Sequence, residues 1–202
     1  IVDYLVEEVL QRQSDDVRHF LLQTSILDRL SGPLCDAVTG RDGGKAMLEA
    51  LDRGNLFLVP LDDRRQWYRY HQLFADVLHA HLLDEQPADV PDLHRRASAW
   101  YEQGGEPSEA IRHALAAKDF ERAADLVELA APATRKYRQE VTLRRWLEAL
   151  PTELLQVRPV LSNAYAGSLL VRGEVEGVES YLQNAERWLD PTTGGVPGSF
   201  AR

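Results

Sequence analysis

Apolar residues recur at helical spacing along almost the whole chain, and the pattern gives way to a strand signal once, between Leu56 and Tyr70. That break constrains the fold more than any other feature. Leu56 to Leu61 and Trp67 to Tyr70 are short and rich in aliphatic and aromatic residues, and the charged stretch Asp62-Asp63-Arg64-Arg65-Gln66 separates them. This is the pattern of a β-hairpin with a polar loop. With no second strand signal, a sheet-based architecture has nothing to build on. The chain is expected to be mostly α, with helix far exceeding strand.

Upstream of the hairpin, Val2, Leu5, Val6, Val9 and Leu10 fall on one helical face. Ser14 precedes Asp15-Asp16, an N-cap with acids in the first turn. The helix it opens carries Val17, Phe20, Leu21, Thr24 and Leu27 on one side. Ser31-Gly32-Pro33 starts a short helix, Leu34 to Val38, and Gly40 to Gly44 is a turn. A further helix over Lys45 to Arg53 turns Met47, Leu48 and Leu51 inward and ends at Gly54-Asn55, residues that tolerate left-handed backbone. Three short helices and then a hairpin is the order of a winged helix. After the hairpin, Leu73, Phe74, Val77, Leu78 and Leu82 form the stripe of the next helix. Residues 1–86 are therefore expected to form a winged-helix-like module with a preceding helix.

Beyond the break at Pro87 to Pro91 the pattern is helix-turn-helix, over residues 92–103, 108–117, 120–131, 135–149, 159–171 and 175–189. Gly105, Ala110 and Ala117 share their mutual spacing with Gly173, Val178 and Ala185, and the two glycines stand 68 residues apart. That distance is two periods of about 34 residues, the period of tetratricopeptide repeats. Small residues serve where paired helices approach closely, and the glycine turns the chain between them. The middle copy is degenerate, with Gln139 and Arg144 at the glycine and alanine positions. Residues 87–202 are expected to be tetratricopeptide-like helix pairs of an α-solenoid. Pro191 to Arg202, rich in Gly and Pro, reads as a cut in a longer protein, as does a first residue, Ile1, that is not Met.

The net charge is −9. Grip on a nucleic-acid backbone needs a basic surface, because affinity comes largely from neutralised phosphates. The expected third helix sets Lys45 and Arg53 against Glu49 and Asp52, and the wing tip sets Arg64-Arg65 against Asp62-Asp63. Neither is a basic face, so DNA is not expected to be a partner of this segment. The lone Cys35 suits a reducing compartment, and no stretch approaches the roughly 18 apolar residues of a membrane span. A cytoplasmic location with no membrane partner is expected.

No catalytic constellation emerges. Gly40-Arg-Asp-Gly-Gly-Lys45-Ala46 is one residue short of a phosphate loop, has Ala46 where a Ser or Thr hydroxyl belongs, and follows no strand. The histidines at 19, 71, 79, 81, 94 and 113 show no metal-ligand spacing. Paired acids such as Glu7-Glu8 and Asp62-Asp63 read as solvated surface. The segment is expected to be no enzyme and to bind no metal.

Five stretches carry a resemblance: Phe20 to Ser31, Asn55 to Asp62, Trp67 to Asp76, Arg95-Arg-Ala-Ser-Ala-Trp-Tyr101, and Ala110-Ile-Arg-His-Ala-Leu-Ala-Ala-Lys-Asp119. In this order they resemble the MalT-like, LuxR-family ATP-dependent transcriptional regulators of bacteria, a class of signal-transducing ATPases. The resemblance covers residues 1 to 130 well and the rest loosely. It implies a nucleotide-binding domain ahead of this segment, a helical effector sensor continuing from it, and a LuxR-type DNA-binding domain at the far end. The implied partners are the protein's own nucleotide-binding domain and a small-molecule inducer or protein effector on the helical repeats. DNA would be met only through the missing C-terminal domain. ATP or ADP is implied for the full-length protein, and no cofactor for this segment. Tyr70-His71-Gln72-Leu73 with Asp76 is also similar to the Met-His-Asp-Leu motif that ends the winged helix of Nod-like and plant resistance receptors, departing from it at Gln72. There the histidine reaches the β-phosphate of bound ADP. Two roles stay open for His71: that phosphate contact, or a plain link from hairpin to helix. For the segment as a whole, the alternative to a regulatory and interaction role is a freestanding tetratricopeptide-type scaffold.

Overall fold

In the computed structural model, which describes residues 8–187, hydrophobic periodicity becomes eleven named helices and one hairpin among the described residues. Residues 8–11 are helical and Leu10 is buried. The upstream part of that expected helix, with Val2, Leu5, Val6 and Glu7, lies outside the described residues, as do the last two residues of the expected 175–189 helix and the Pro191 to Arg202 stretch. The chain divides between Lys118 and Asp119 into two compact units.

In the first unit, α1 (Asp15–Thr24) starts where Ser14 accepts a hydrogen bond from the Val17 amide, and α2 (Gly32–Thr39) where Ser31 accepts one from Leu34. Both hydroxyls satisfy amides that a helix N-terminus leaves without partners. Between α2 and α3 (Gly44–Arg53) each glycine of the Gly40 to Ala46 stretch has a structural task. Gly40 closes α2 at φ +69° and Gly43 opens α3 at φ +103°, backbone that side chains rarely adopt. At Gly44 a Cβ would stand 2.8 Å from the Gly32 carbonyl and from Asp36 Oδ1. The missing side chain lets α3 abut α2, and Asp36 Oδ1 accepts the Gly44 amide at 2.6 Å. This stretch is an inter-helix turn.

Asn55, at φ +51°, takes the left-handed position after α3. The hairpin is shorter than its sequence signal: β1 (Leu58–Pro60) pairs antiparallel with β2 (Tyr68–Tyr70). Phe57, at φ +52°, is already turning. On the far edge of β2, Leu30 and Tyr68 exchange both backbone hydrogen bonds, at 2.7 and 2.9 Å. That bridge ties the α1–α2 connection to the wing. Three helices, a short strand contact and a hairpin make this a winged helix. The loop is organised by Asp62, whose carboxylate accepts the amides of Gln66 and Trp67. Those hydrogen bonds, that from Gln66 foremost, hold it below the usual carboxylate range.

α4 (Gln72–Glu85) buries Phe74, Leu78 and Leu82. Leu73, expected in the same stripe, is 50 % exposed. Phe74 packs between Phe57 and Tyr70 instead, at ring distances of 5.1 and 5.7 Å, and this choice of face turns Leu73 outward. α5 (Val90–Gln103) and α6 (Pro107–Ala116) form a tight pair around Gly105, at φ +72°. Ala97 and Ala110 are wholly buried, and Ser98 donates to the Ala110 carbonyl at 2.8 Å. α5 also packs on α2, where Arg96 donates to the Val38 carbonyl at 3.1 Å. The first helix pair therefore belongs to the same unit as the winged helix.

The second unit holds two more pairs. α7 (Phe120–Lys136) runs through Pro132, where the sequence pattern stops the helix at residue 131. A proline inside a helix removes one backbone hydrogen bond, and burial of Ala130, Ala131 and Thr134 around it keeps the helix continuous. Arg138, at φ +55°, makes the turn into α8 (Glu140–Glu148). The degenerate middle copy thus places its left-handed residue one position before Gln139, and its helix begins later than the expected residue 135. α9 (Thr152–Val157) is a short helix that the sequence pattern missed. α10 (Pro159–Val171) and α11 (Val178–Arg187) pack through Ala166, Leu169 and Val178, with Tyr165 edge-on to Tyr181 at 4.9 Å. Gly173 turns between them at φ +75°. No helix among the described residues is long and apolar enough to cross a membrane.

Candidate functional site

His71 stands at the hinge between β2 and α4. Its backbone does the joining: the amide donates to the Phe57 carbonyl at 2.7 Å, and the carbonyl accepts the Ala75 amide at 3.0 Å. The imidazole is exposed and caps no amide of α4. The link from hairpin to helix therefore needs the backbone of residue 71 and not its ring. Gln72, where the receptor motif has Asp, reaches forward along the helix and donates to Asp76 Oδ1 at 2.9 Å.

His71 opens onto a cleft of about 770 Å³ formed within the first unit. Arg69, two residues earlier on β2, lines it, as do Asp76 and His79 of α4. So do His94 and Arg112, from the first helix pair. The hairpin's exit, the following helix and the helix pair thus meet around one volume. Sequence reasoning picked out His71 and missed the rest. Arg69, His94 and Arg112 are brought there by packing between distant segments, and no local spacing announces that.

Behind the cleft lies a buried relay. His94 and His113 approach through their Nδ1 atoms at 2.8 Å, and Arg112 donates to His113 Nε2 at 2.9 Å. A guanidinium can only donate, so His113 carries its proton on Nδ1 and gives it to His94 Nδ1. His94 then bears its proton on Nε2. Burial, reinforced by the Arg112 charge, pushes His94 down to about 4 and His113 down to about 2. Both rings stay neutral at physiological pH. Tyr101 stacks on His113 at 5.5 Å, and Arg112 is itself held by Glu109 at 2.8 Å and Asp28 at 3.2 Å.

Burial pushes the Cys35 thiol up to about 12, so it stays protonated and unreactive. Among the described residues no group of three His, Cys, Asp or Glu side chains has the geometry to hold a metal ion.

Residues 6–90 match the family model described as the MalT winged helix domain. Three relatives, each named serine/threonine-protein kinase PknK, are 39 % identical over 193 residues; two come from strains of Mycobacterium tuberculosis and one from Mycobacterium bovis. The match covers 92 % of this chain and spans 17 % of the length of each relative. The three helices and the hairpin lie within the matched stretch, and over residues 6–90 the chain is similar to the MalT winged helix domain.

Proposed function

We propose that this chain is a regulatory and interaction segment of a larger signalling protein, coupling a nucleotide-binding domain elsewhere in that protein to a helical effector sensor. The observation that carries the reading is the shared packing of the winged helix and the first helix pair, through α2 and α5. A displacement at one is felt at the other, as a relay requires, because packed cores shift between discrete arrangements more readily than they deform.

In this reading His71 contacts the ADP phosphate of the full-length protein and stabilises its closed state. An imidazole beside the first amides of a helix is chemically suited to a phosphate oxygen. Its ring makes no structural hydrogen bond that such a role would have to break. The second unit continues the sensor as tetratricopeptide-like pairs, whose left-handed turns at Arg138 and Gly173 correspond to that at Gly105 in the first unit. An inducer or protein effector binds there, and the whole acts in the cytoplasm. The output belongs to another domain, a LuxR-type DNA-binding domain or, by the names of the mycobacterial relatives, a protein kinase. The segment itself catalyses nothing.

The test is a titration of this chain against the separately produced nucleotide-binding domain of its full-length protein. Binding is expected to be at least tenfold tighter with ADP than with ATP bound to that domain. Equal affinity in the two nucleotide states contradicts the relay, since a contact that does not distinguish two states cannot shift their balance.

A further inference from the structure

A second cleft, of about 820 Å³, lies between α3 and the hairpin loop, with Trp100 of α5 also lining it. Three of its features have no use in the reading above. The first is aromatic. Trp67 and Trp100 stand edge to face at 6.3 Å, both only partly buried. Arg29 lies over Trp67 at 4.5 Å and is ion-paired with Glu106, which fixes that indole in place.

The second feature is charge. The lining holds Lys45, Arg53, Arg64 and Arg65 against Glu49 and Asp52. Asp52 is taken by Arg65, and Lys45 is 4.0 Å from Glu49. Arg64 is exposed and forms no ion pair among the described residues. A chain of net charge −9 therefore gathers a local positive surplus at this cleft. The third feature is an orphan. Tyr68, 2 % exposed, lines the cleft with a buried hydroxyl that has no hydrogen-bond partner among the described residues. Buried hydroxyls are nearly always paired, and leaving one unpaired is costly.

We propose that the cleft binds a small flat aromatic carboxylate, its ring against Trp67 and Trp100, one carboxylate oxygen at Arg64 and the other accepting from the Tyr68 hydroxyl. A pocket of this size with aromatic walls and a few convergent polar groups is the usual form of a small-molecule site. The site does not depend on any nucleotide role of His71, which lies on the other cleft.

The test uses the 202-residue chain labelled with ¹⁵N at its tryptophan indoles, titrated with 2-naphthoate and, separately, with neutral 2-naphthylmethanol. The indole N–H signals of Trp67 and Trp100 are expected to move saturably with naphthoate while that of Trp146 stays in place. The alcohol should bind at least several-fold more weakly. Tyr68→Phe and Arg64→Ala should each weaken naphthoate by roughly three- to tenfold, as loss of one hydrogen bond does. Tyr68→Phe should leave thermal stability unchanged or raised, because it deletes a hydroxyl that no atom of the described residues satisfies. Naphthoate and alcohol binding alike, both variants binding as the parent does, or the absence of any saturable shift into the millimolar range would each overturn the proposal.

Discussion

His94 and His113 share one hydrogen bond in the first unit, and its cost becomes visible only in acid. In the unfolded chain each ring takes up a proton near its ordinary value of 6.5; in the folded protein His94 resists until about 4 and His113 until about 2. Both folded values are depressed, so the unfolded state binds more protons as pH falls, and stability drops from about pH 6.5 downward. While only the unfolded state protonates, the loss is on the order of 1.4 kcal/mol per pH unit for each histidine. Urea unfolding between pH 7 and 4.5 should show this decline, and the double variant His94→Leu, His113→Leu should flatten it. An equally steep decline in that variant would assign it to other groups. At this scale the sequence is readable where the physics is local. Ser14 and Ser31 cap the helices that follow them, because a cap needs only an oxygen three residues before an amide. The partnership of His94 with His113, or of Arg29 with Trp67 and Glu106, depends on how separate segments pack, and no spacing encodes it.

Among elements, α2 and α3 approach each other closely. It rests on Gly44, where a Cβ would meet Asp36 Oδ1 and the Gly32 carbonyl, both at 2.8 Å. The carbonyl is backbone and cannot swing aside. Gly44→Ala should therefore destabilise the first unit by roughly 1–3 kcal/mol, the usual cost of overfilling a packed contact, measured by urea unfolding monitored by tryptophan fluorescence. Gly43→Ala makes the contrast: its site is open but strained at φ +103°, so its cost comes from backbone conformation alone. A neutral Gly44→Ala would mean that the two helices separate freely. The glycines of this stretch invite comparison with a phosphate loop in sequence, and it takes the helix contact to explain them. Elsewhere the elements follow their periodicity closely, with deviations that have physical causes. α7 passes Pro132 because Ala130, Ala131 and Thr134 around it are buried. α9 escapes notice because six residues, Thr152–Val157, are too few to display a period. The hairpin shrinks to three residues per strand because Phe57 adopts left-handed backbone.

For the whole molecule, helix predominance and the one hairpin among the described residues follow from composition and period, whereas the extent of the first unit does not. Sequence pattern breaks at Pro87 to Pro91, but packing carries the unit on through α6 to Lys118. What joins the winged helix to the first helix pair is a set of side chains on α2, α5 and the α1–α2 connection, each unremarkable in its own segment. That joint makes the relay reading physical, and His71 is where it can be tested. The ring makes no capping bond, so its removal should leave the fold intact. If it holds the ADP phosphate in the closed state, His71→Ala forfeits a hydrogen bond to a charged group, about 1.5–3 kcal/mol, in one of two states only. The decisive measurement is ADP affinity of the full-length protein and of its His71→Ala variant, taken with thermal unfolding of both. ADP is expected to bind roughly ten- to a hundredfold more weakly in the variant, with higher effector-independent output and an unchanged unfolding temperature. Unchanged ADP affinity together with a lowered unfolding temperature would contradict it, and would make His71 a structural residue.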